Sequence, residues 1–291
     1  LLAVRNYHDL KGMKLDIANG EPASLGRTLS KQGITDEASL CSRQLKNQGY
    51  TVFHTDSPEL ERLQDQASPG SFECDEISIR ESMKNVFSFL KGIDLTPVQY
   101  VDEGNGGLFV NICPTDHNKK SRSDLRGHTD GAFLYMPGEI LPGWMPIPRY
   151  IALYCVKNSL VYTRVAHVKR ISELLHQDHL KVLSEDNFRI TPQDTWRVKA
   201  LSDFWSWRPL IKKHQDDLYV RYSHSTVVSK SSVAEKVRKT LEHAIGKSYE
   251  DVLLRPGDVL VIDNLRTVHG RRGFANGNRP EDRWLIRFYC N

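Results

Sequence analysis

Apolar residues in the first third of the chain recur with a helical period. Over residues 35–49 and 77–92 they return every three or four positions, as in Ile79, Met83, Val86, Phe87 and Leu90, which predicts two amphipathic helices. From about residue 98 the texture changes to short β-rich runs. Val98–Asp102, Gly107–Cys113, Arg126–Leu134 and Arg149–Val156 read as strands, as do Leu160–Val165, Leu218–Tyr222, Asp258–Ile262 and Trp284–Tyr289. Asn105-Gly106-Gly107 and Pro256-Gly257-Asp258 supply turn chemistry between them. Helical stretches at about 168–184 and 231–245 interrupt the strands. Many short strands without regular β-α alternation predict a mainly β fold with flanking helices, a double-stranded β-helix or jelly roll. A parallel Rossmann sheet is disfavoured, since no Gly-x-Gly-x-x-Gly follows a strand. Neither a repeat of 20–50 residues nor a Pro-, Gly- or Ser-rich linker divides the chain. It reads as a single domain over residues 1–291, with N-terminal helical elements of about 1–95 packing on a β-core of about 96–291.

Composition narrows the classes. Hydrophobic residues at 39% and charged residues at 26% suit an ordinary globular protein rather than a disordered one. The longest apolar stretch, Tyr150–Val156, is seven residues, against the roughly 20 that a membrane helix needs, so no membrane partner is expected. A net charge of +4 over 291 residues is too weak a signal for nucleic acid. Five cysteines, odd in number and without a Cys-x-x-Cys pair, suit a reducing compartment. With no basic segment leading into an apolar core at the start of the chain, the cytoplasm is the default location.

Candidate chemistry begins with His-x-Asp. On a strand these residues share a face and can offer two neighbouring ligands to one metal. Four such pairs occur: His54/Asp56, His128/Asp130, His176/Asp178 and His214/Asp216. His176 and Asp178 fall in a helical stretch, where positions i and i+2 face apart. Asp56 precedes Ser57-Pro58-Glu59, which reads as a helix start, and His214 and Asp216 belong to a charged turn. His128 and Asp130 differ, because Gly127 and Gly131 flank them and let a ligand or backbone approach closely. On a strand through this run Arg126, His128, Asp130 and Ala132 share one face. Far downstream, Val261–Gly270 reads as strand, turn and strand carrying His269, followed by Arg283 and, four positions on, Arg287. Two histidines and a carboxylate form the facial triad of non-haem Fe(II) oxygenases, and an arginine grips a carboxylate in bidentate fashion.

Together His128-x-Asp130, His269 and Arg283 resemble the signature of the Fe(II)/2-oxoglutarate-dependent dioxygenases, in detail the clavaminate-synthase-like and taurine-dioxygenase (TauD/TfdA) branch. Asn264-Leu-Arg-Thr-Val-His-Gly-Arg-Arg-Gly-Phe274, followed by Asp282-Arg-Trp-Leu-Ile-Arg287, is similar to that branch's distal-histidine block. Ile151-Ala-Leu-Tyr-Cys155 leading to Tyr162-Thr-Arg-Val-Ala-His-Val168 is a further match. The family usually carries Asp where this chain has His167, so the helix after that strand is expected to begin differently. The resemblance covers roughly residues 95–290.

It implies that His128, Asp130 and His269 hold Fe(II), with open positions for the cosubstrate 2-oxoglutarate and for O2. Arg283 then pairs with the distal carboxylate of 2-oxoglutarate and Thr163 hydrogen-bonds to it, and succinate and CO2 leave. Related halogenases lack a carboxylate at the position of Asp130, so hydroxylation is the expected outcome. Arg287 and Arg126 add cations on the faces of the cosubstrate arginine and the metal pair. That surplus predicts a small carboxylate-bearing substrate, an amino acid or a derivative of one, unless Arg287 pairs with an internal Asp or Glu. Two alternatives stay open: a TauD-like enzyme cleaving a sulfonate or aryloxy acid, and a metal-binding jelly roll without turnover. Thr195–Pro209, which holds three of the five tryptophans, is either core or cavity wall, and Asn118–Asp124 is either a cover for the site or a solvated loop.

Overall fold

A computed structural model of the protein describes residues 4–6, 31–65, 76–100, 102–103, 106–113, 123–139, 146–193, 195–196, 206–274 and 283–291. In chain order these give β1 (Val4–Asn6), α1 (Lys31–Gln48), β2 (Tyr50–His54), α2 (Pro58–Asp65), α3 (Glu76–Ser82) and α4 (Lys84–Gly92). Then come β3 (Pro97–Tyr100), β4 (Val110–Ile112), β5 (Leu125–His128), β6 (Tyr150–Lys157), β7 (Thr163–His167), α5 (Val168–Glu173) and α6 (Gln177–Leu183). The remainder is β8 (Phe188–Ile190), β9 (Ile211–His214), β10 (Asp217–Val220), β11 (Val227–Ser229), α7 (Ser232–Ser248), β12 (Glu250–Val252), β13 (Asp258–Asp263), β14 (Thr267–Arg271) and β15 (Trp284–Cys290).

Two antiparallel sheets form the jelly roll. The larger has seven strands in the order β1-β3-β15-β6-β13-β2, with β4 also paired to β15. The smaller has the order β12-β7-β14-β5. Alternation sorts the side chains of the larger sheet. Ile151, Leu153, Cys155, Leu260, Ile262, Leu285 and Tyr289 join one buried cluster, shared with the smaller sheet. Their neighbours Ala152, Tyr154, Val156, Val259, Val261, Trp284, Ile286 and Phe288 join a second cluster with apolar residues of α1 to α4. The N-terminal helices therefore seal one face of the larger sheet. Across the molecule, α7 covers the smaller sheet: a Cβ at Gly127 of β5 would meet Tyr249, Val268 of β14 and Ile245 of α7.

Local chemistry explains three departures from the expected elements. β5 stops at His128 instead of running to Leu134, because residues 130–133 form a turn with Gly131 at φ +65° and Leu134 N–H donating to Gly131 O. The helical stretch over 168–184 is two helices, each capped by a histidine. His167 Nδ1 accepts from Lys169 N–H at 3.1 Å and His176 Nδ1 from Asp178 N–H at 3.3 Å. The segment before residue 95 is not only helical, since β1 and β2 form the two edges of the larger sheet. Gly49, at φ +79°, turns the chain from α1 into β2 beside His167 and Thr267, where a Cβ would come within 2.6 Å of both side chains.

Candidate active site

The smaller sheet brings the two histidines together. His269 of β14 pairs with His128 at the end of β5, and their ring centroids are 4.3 Å apart. The turn after β5 then carries Asp130 to the same point. Asp130 Oδ1 lies 3.5 Å from His128 Nε2 and 3.8 Å from His269 Nε2. One ligand atom from each of the three lies within 4.8 Å of the others, the only such cluster of three or more His, Cys, Asp and Glu side chains among the described residues. The other three His-x-Asp pairs do not join it. His54 sits between Asp56 and Asp258, His176 and Asp178 pair at the surface, and His214 packs near Tyr219.

On His128 and Asp130 the atoms turned away from the cluster have partners that orient them. His128 Nδ1 is 3.1 Å from Arg126 O, which suits an Nδ1–H tautomer and leaves Nε2 as a lone-pair donor. Burial, with His128 beside it, pushes the His269 imidazole down to about 3, so that ring is neutral and competent to ligate at ordinary pH. Burial alone would raise the Asp130 carboxyl, yet Arg287 and the two histidines hold it well below the usual carboxylate range. Asp130 Oδ2 accepts from Arg287 Nη1 at 2.8 Å and from Tyr289 OH at 3.3 Å, which leaves Oδ1 toward the histidines. The Asp130 backbone is fixed as well. Its N–H donates to Asn264 Oδ1, and Asn264 Nδ2 donates to Asp130 O, both at 3.0 Å.

Of the two further cations, Arg287 takes the internally paired alternative and Arg126 needs correction. Arg287 is not a surplus charge, because its guanidinium also donates to the buried carboxylate of Glu103. The side chain is buried at 7% exposure, where an unpaired guanidinium would be costly, and the two carboxylates meet that cost. Arg126 is not drawn into the metal pocket. Its side chain is 63% exposed and its Nη1 lies 2.7 Å from His224 Nε2 and 3.3 Å from Glu242 on α7. The strand ends two residues later, so the alternation that put Arg126 beside Asp130 does not extend that far.

Arg283 enters the same interior just ahead of β15 and is 3% exposed. Its Nη2 donates to Thr163 Oγ1 at 3.3 Å, and among the described residues its Nε has no hydrogen-bond partner. Burial, with Arg271 nearby, pushes the guanidinium down to about 9, which means that an anion there would be stabilising. The group and its Thr neighbour fit a carboxylate. Glu103, Tyr289 and Asn264 had no assignment from sequence. Only Asn264, in the turn after a strand that precedes His269, stands in a recognisable motif. Trp196 packs edge-on against Tyr100 and Phe133, which is a core role, whereas residues 197–205 and Asn118–Arg122 lie outside the described residues. Of the latter loop, Asp124 pairs with Arg164 at 2.9 Å.

Residues 80–289 match the family described as "Taurine catabolism dioxygenase TauD, TfdA family". Enduracididine beta-hydroxylase of Streptomyces hygroscopicus is 24% identical over 222 residues, covering 66% of this chain and 62% of that protein. The chain spans about three fifths or less of the length of the first curated relatives that it matches. Among solved structures, asparagine oxygenase in complex with Fe(II), 2S,3S-3-hydroxyasparagine and succinate superposes with a TM-score of 0.70 at 18% identity, over 89% of this chain and 79% of that one. The non-heme iron oxygenase OrfP, in complex with Fe and alpha-ketoglutaric acid, gives 0.68 at 21% identity over 89% and 79%. These likenesses are of fold, whereas the family match spans most of the chain, and the protein belongs to the TauD/TfdA family.

Proposed function

We propose that the protein is an Fe(II)- and 2-oxoglutarate-dependent oxygenase that hydroxylates an unactivated C–H of an amino acid or amino-acid-derived carboxylate, releasing succinate and CO2. The observation that carries this reading is the convergence of His128, Asp130 and His269, with His128 Nδ1 and Asp130 Oδ2 tied back by their neighbours. Those residues would hold the metal on one face and leave positions open for cosubstrate and O2. Bound iron, with 2-oxoglutarate and O2, supplies the oxidising power. The chain's own residues supply orientation. Arg283, with Thr163, takes the distal carboxylate of 2-oxoglutarate.

Arg287 and Glu103 support the substrate class. They are buried opposite charges beside Asp130, and an α-amino acid offers the complementary pair. Its carboxylate would take a share of Arg287 and its ammonium a share of Glu103. An aryloxy acid or a sulfonate without an amine brings an anion and no cation, and so competes with Glu103 for Arg287 without offering Glu103 a partner in return. A closed structural metal site would have no use for a buried, partly unsatisfied Arg283. The relatives named as amino-acid hydroxylases agree with this class.

Succinate release is the test, measured with Fe(II), 2-oxoglutarate and O2 across free amino acids, their methyl esters, their decarboxylated amines, alkyl sulfonates and aryloxy acids. Free amino acids should stimulate release and both modified forms should fail. Equal turnover of the esters, or stimulation by sulfonates alone, would contradict the amino-acid assignment.

A further inference from the structure

Arg271 is a second buried cation near the Arg283 pocket. It stands on β14 two positions beyond His269, so by alternation it shares that histidine's face, about 6.6 Å further along the strand. On the neighbouring strand its cross-strand partner is Thr163, just as Val165 is the partner of His269. Partners in that position have Cβ atoms about 4.5–5.5 Å apart. Thr163 is the residue that accepts from Arg283. The side chain of Arg271 is held in place, since Nη1 donates to Arg272 O at 2.8 Å and Nη2 to Ser123 O at 3.1 Å, with the guanidinium over the Phe274 ring. Arg271 is 8% exposed, and its charge adds to burial in depressing Arg283.

We infer that Arg271 is a positioning residue for the cosubstrate, a second fixed cation whose field, with Arg283, selects a 2-oxo acid bearing a distal carboxylate. The inference rests on the proposed use of 2-oxoglutarate. Arg283 supplies the direct hydrogen bonds, and Arg271 acts through the electrostatics of the pocket and through the wall it shares with Thr163. Two like charges in one interior repel. A distal carboxylate held by Arg283 lessens that repulsion, whereas a cosubstrate ending in a methyl group does not.

The experiment is a calorimetric titration of Fe(II)-loaded protein without O2, using 2-oxoglutarate and 2-oxopentanoate, which has the same carbon skeleton without the distal carboxylate. Arg271→Gln should weaken 2-oxoglutarate binding about tenfold, the order expected of one charge several ångströms away in a partly screened interior. Arg271→Lys should restore most of that loss, and 2-oxopentanoate should bind all three proteins alike. Should Arg271→Gln fail to fold, Arg271→Met keeps the stem, removes the charge and carries the same expectation. Unchanged 2-oxoglutarate affinity in the neutral variants, or equal weakening of both oxo acids, would overturn the inference alone. A wild-type protein that binds no 2-oxoglutarate would overturn it together with the proposed function.

Discussion

Around Asp130, each polar contact leaves one atom fewer for any other use. Oδ2 accepts from Arg287 and Tyr289, and the main chain is held on both sides by Asn264. Such outer partners fix the direction in which the free oxygen points, and their loss typically costs 10–100-fold in metal affinity. Glu103 stands one step further out, held by Arg287, and burial pushes its carboxyl up despite that cation. If its role is to receive a substrate ammonium, Glu103→Gln should raise the KM of the amino-acid substrate about tenfold or more while leaving Fe(II) and 2-oxoglutarate affinities within about twofold. A fall in metal affinity with an unchanged KM would instead make Glu103 a support for Asp130. His128, Asp130, His269, Arg283 and Thr163 are readable from sequence because they fall in short motifs with fixed spacing. Glu103 is not, since no local pattern reports a contact made across 184 positions. For the same reason the sequence leaves open whether Arg287 is paired with an internal carboxylate.

Elements carry the site by where they end. β5 delivers His128 and stops, and the turn through Gly131 swings Asp130 toward His269. An alternating pattern that runs on past a strand's end hides such a stop, which is why Arg126–Leu134 reads as one strand. Caps are equally hard to read when an unusual residue makes them. His167, standing where the family usually has Asp, caps α5 through Nδ1 and can do so only while that nitrogen is unprotonated. Burial, with Arg266 and Lys169 nearby, pushes its imidazole down to about 4 from 6.5. A folded-state value below the unfolded one means that the unfolded chain binds the proton first, so this contribution is complete above about pH 6.5 and is lost as pH falls toward 4. His167→Asp keeps a side-chain acceptor that stays ionised through most of that range. Urea midpoints measured from pH 7 to 4 should therefore fall less steeply for the variant than for the wild type. Parallel curves would show that the cap is not what titrates.

At the scale of the whole molecule, two sheets share one interior, and the two halves of the site come from opposite sides of it. The smaller sheet gives His128, His269 and Thr163, and the segment through β15 of the larger gives Arg283, Arg287 and Tyr289. A long-range tie joins the N-terminal helices to this centre. Arg266, in the turn between β13 and β14, donates to Leu45 O and Lys46 O at the end of α1 and to Asp263 Oδ2 at 2.9 Å. Burial on both faces makes β6, β13 and β15 legible as apolar runs, and they lead to the jelly roll. Strands of three or four residues such as β1, β8, β9, β11 and β12 are too short to show alternation, and β2 follows directly on residues whose helical spacing dominates. Among the described residues, no helix is long and apolar enough to cross a membrane. One metal, held by His128, Asp130 and His269, would make the interior a cosubstrate site. The most direct measurement is anaerobic binding of 2-oxoglutarate to wild type and Asp130→Ala, each with and without Fe(II), alongside a thermal melt. The predicted result is metal-dependent binding in the wild type that Asp130→Ala loses while keeping a cooperative unfolding transition. Binding that ignores the metal, or survives in Asp130→Ala and disappears on mutating His54, His176 or His214, would contradict it.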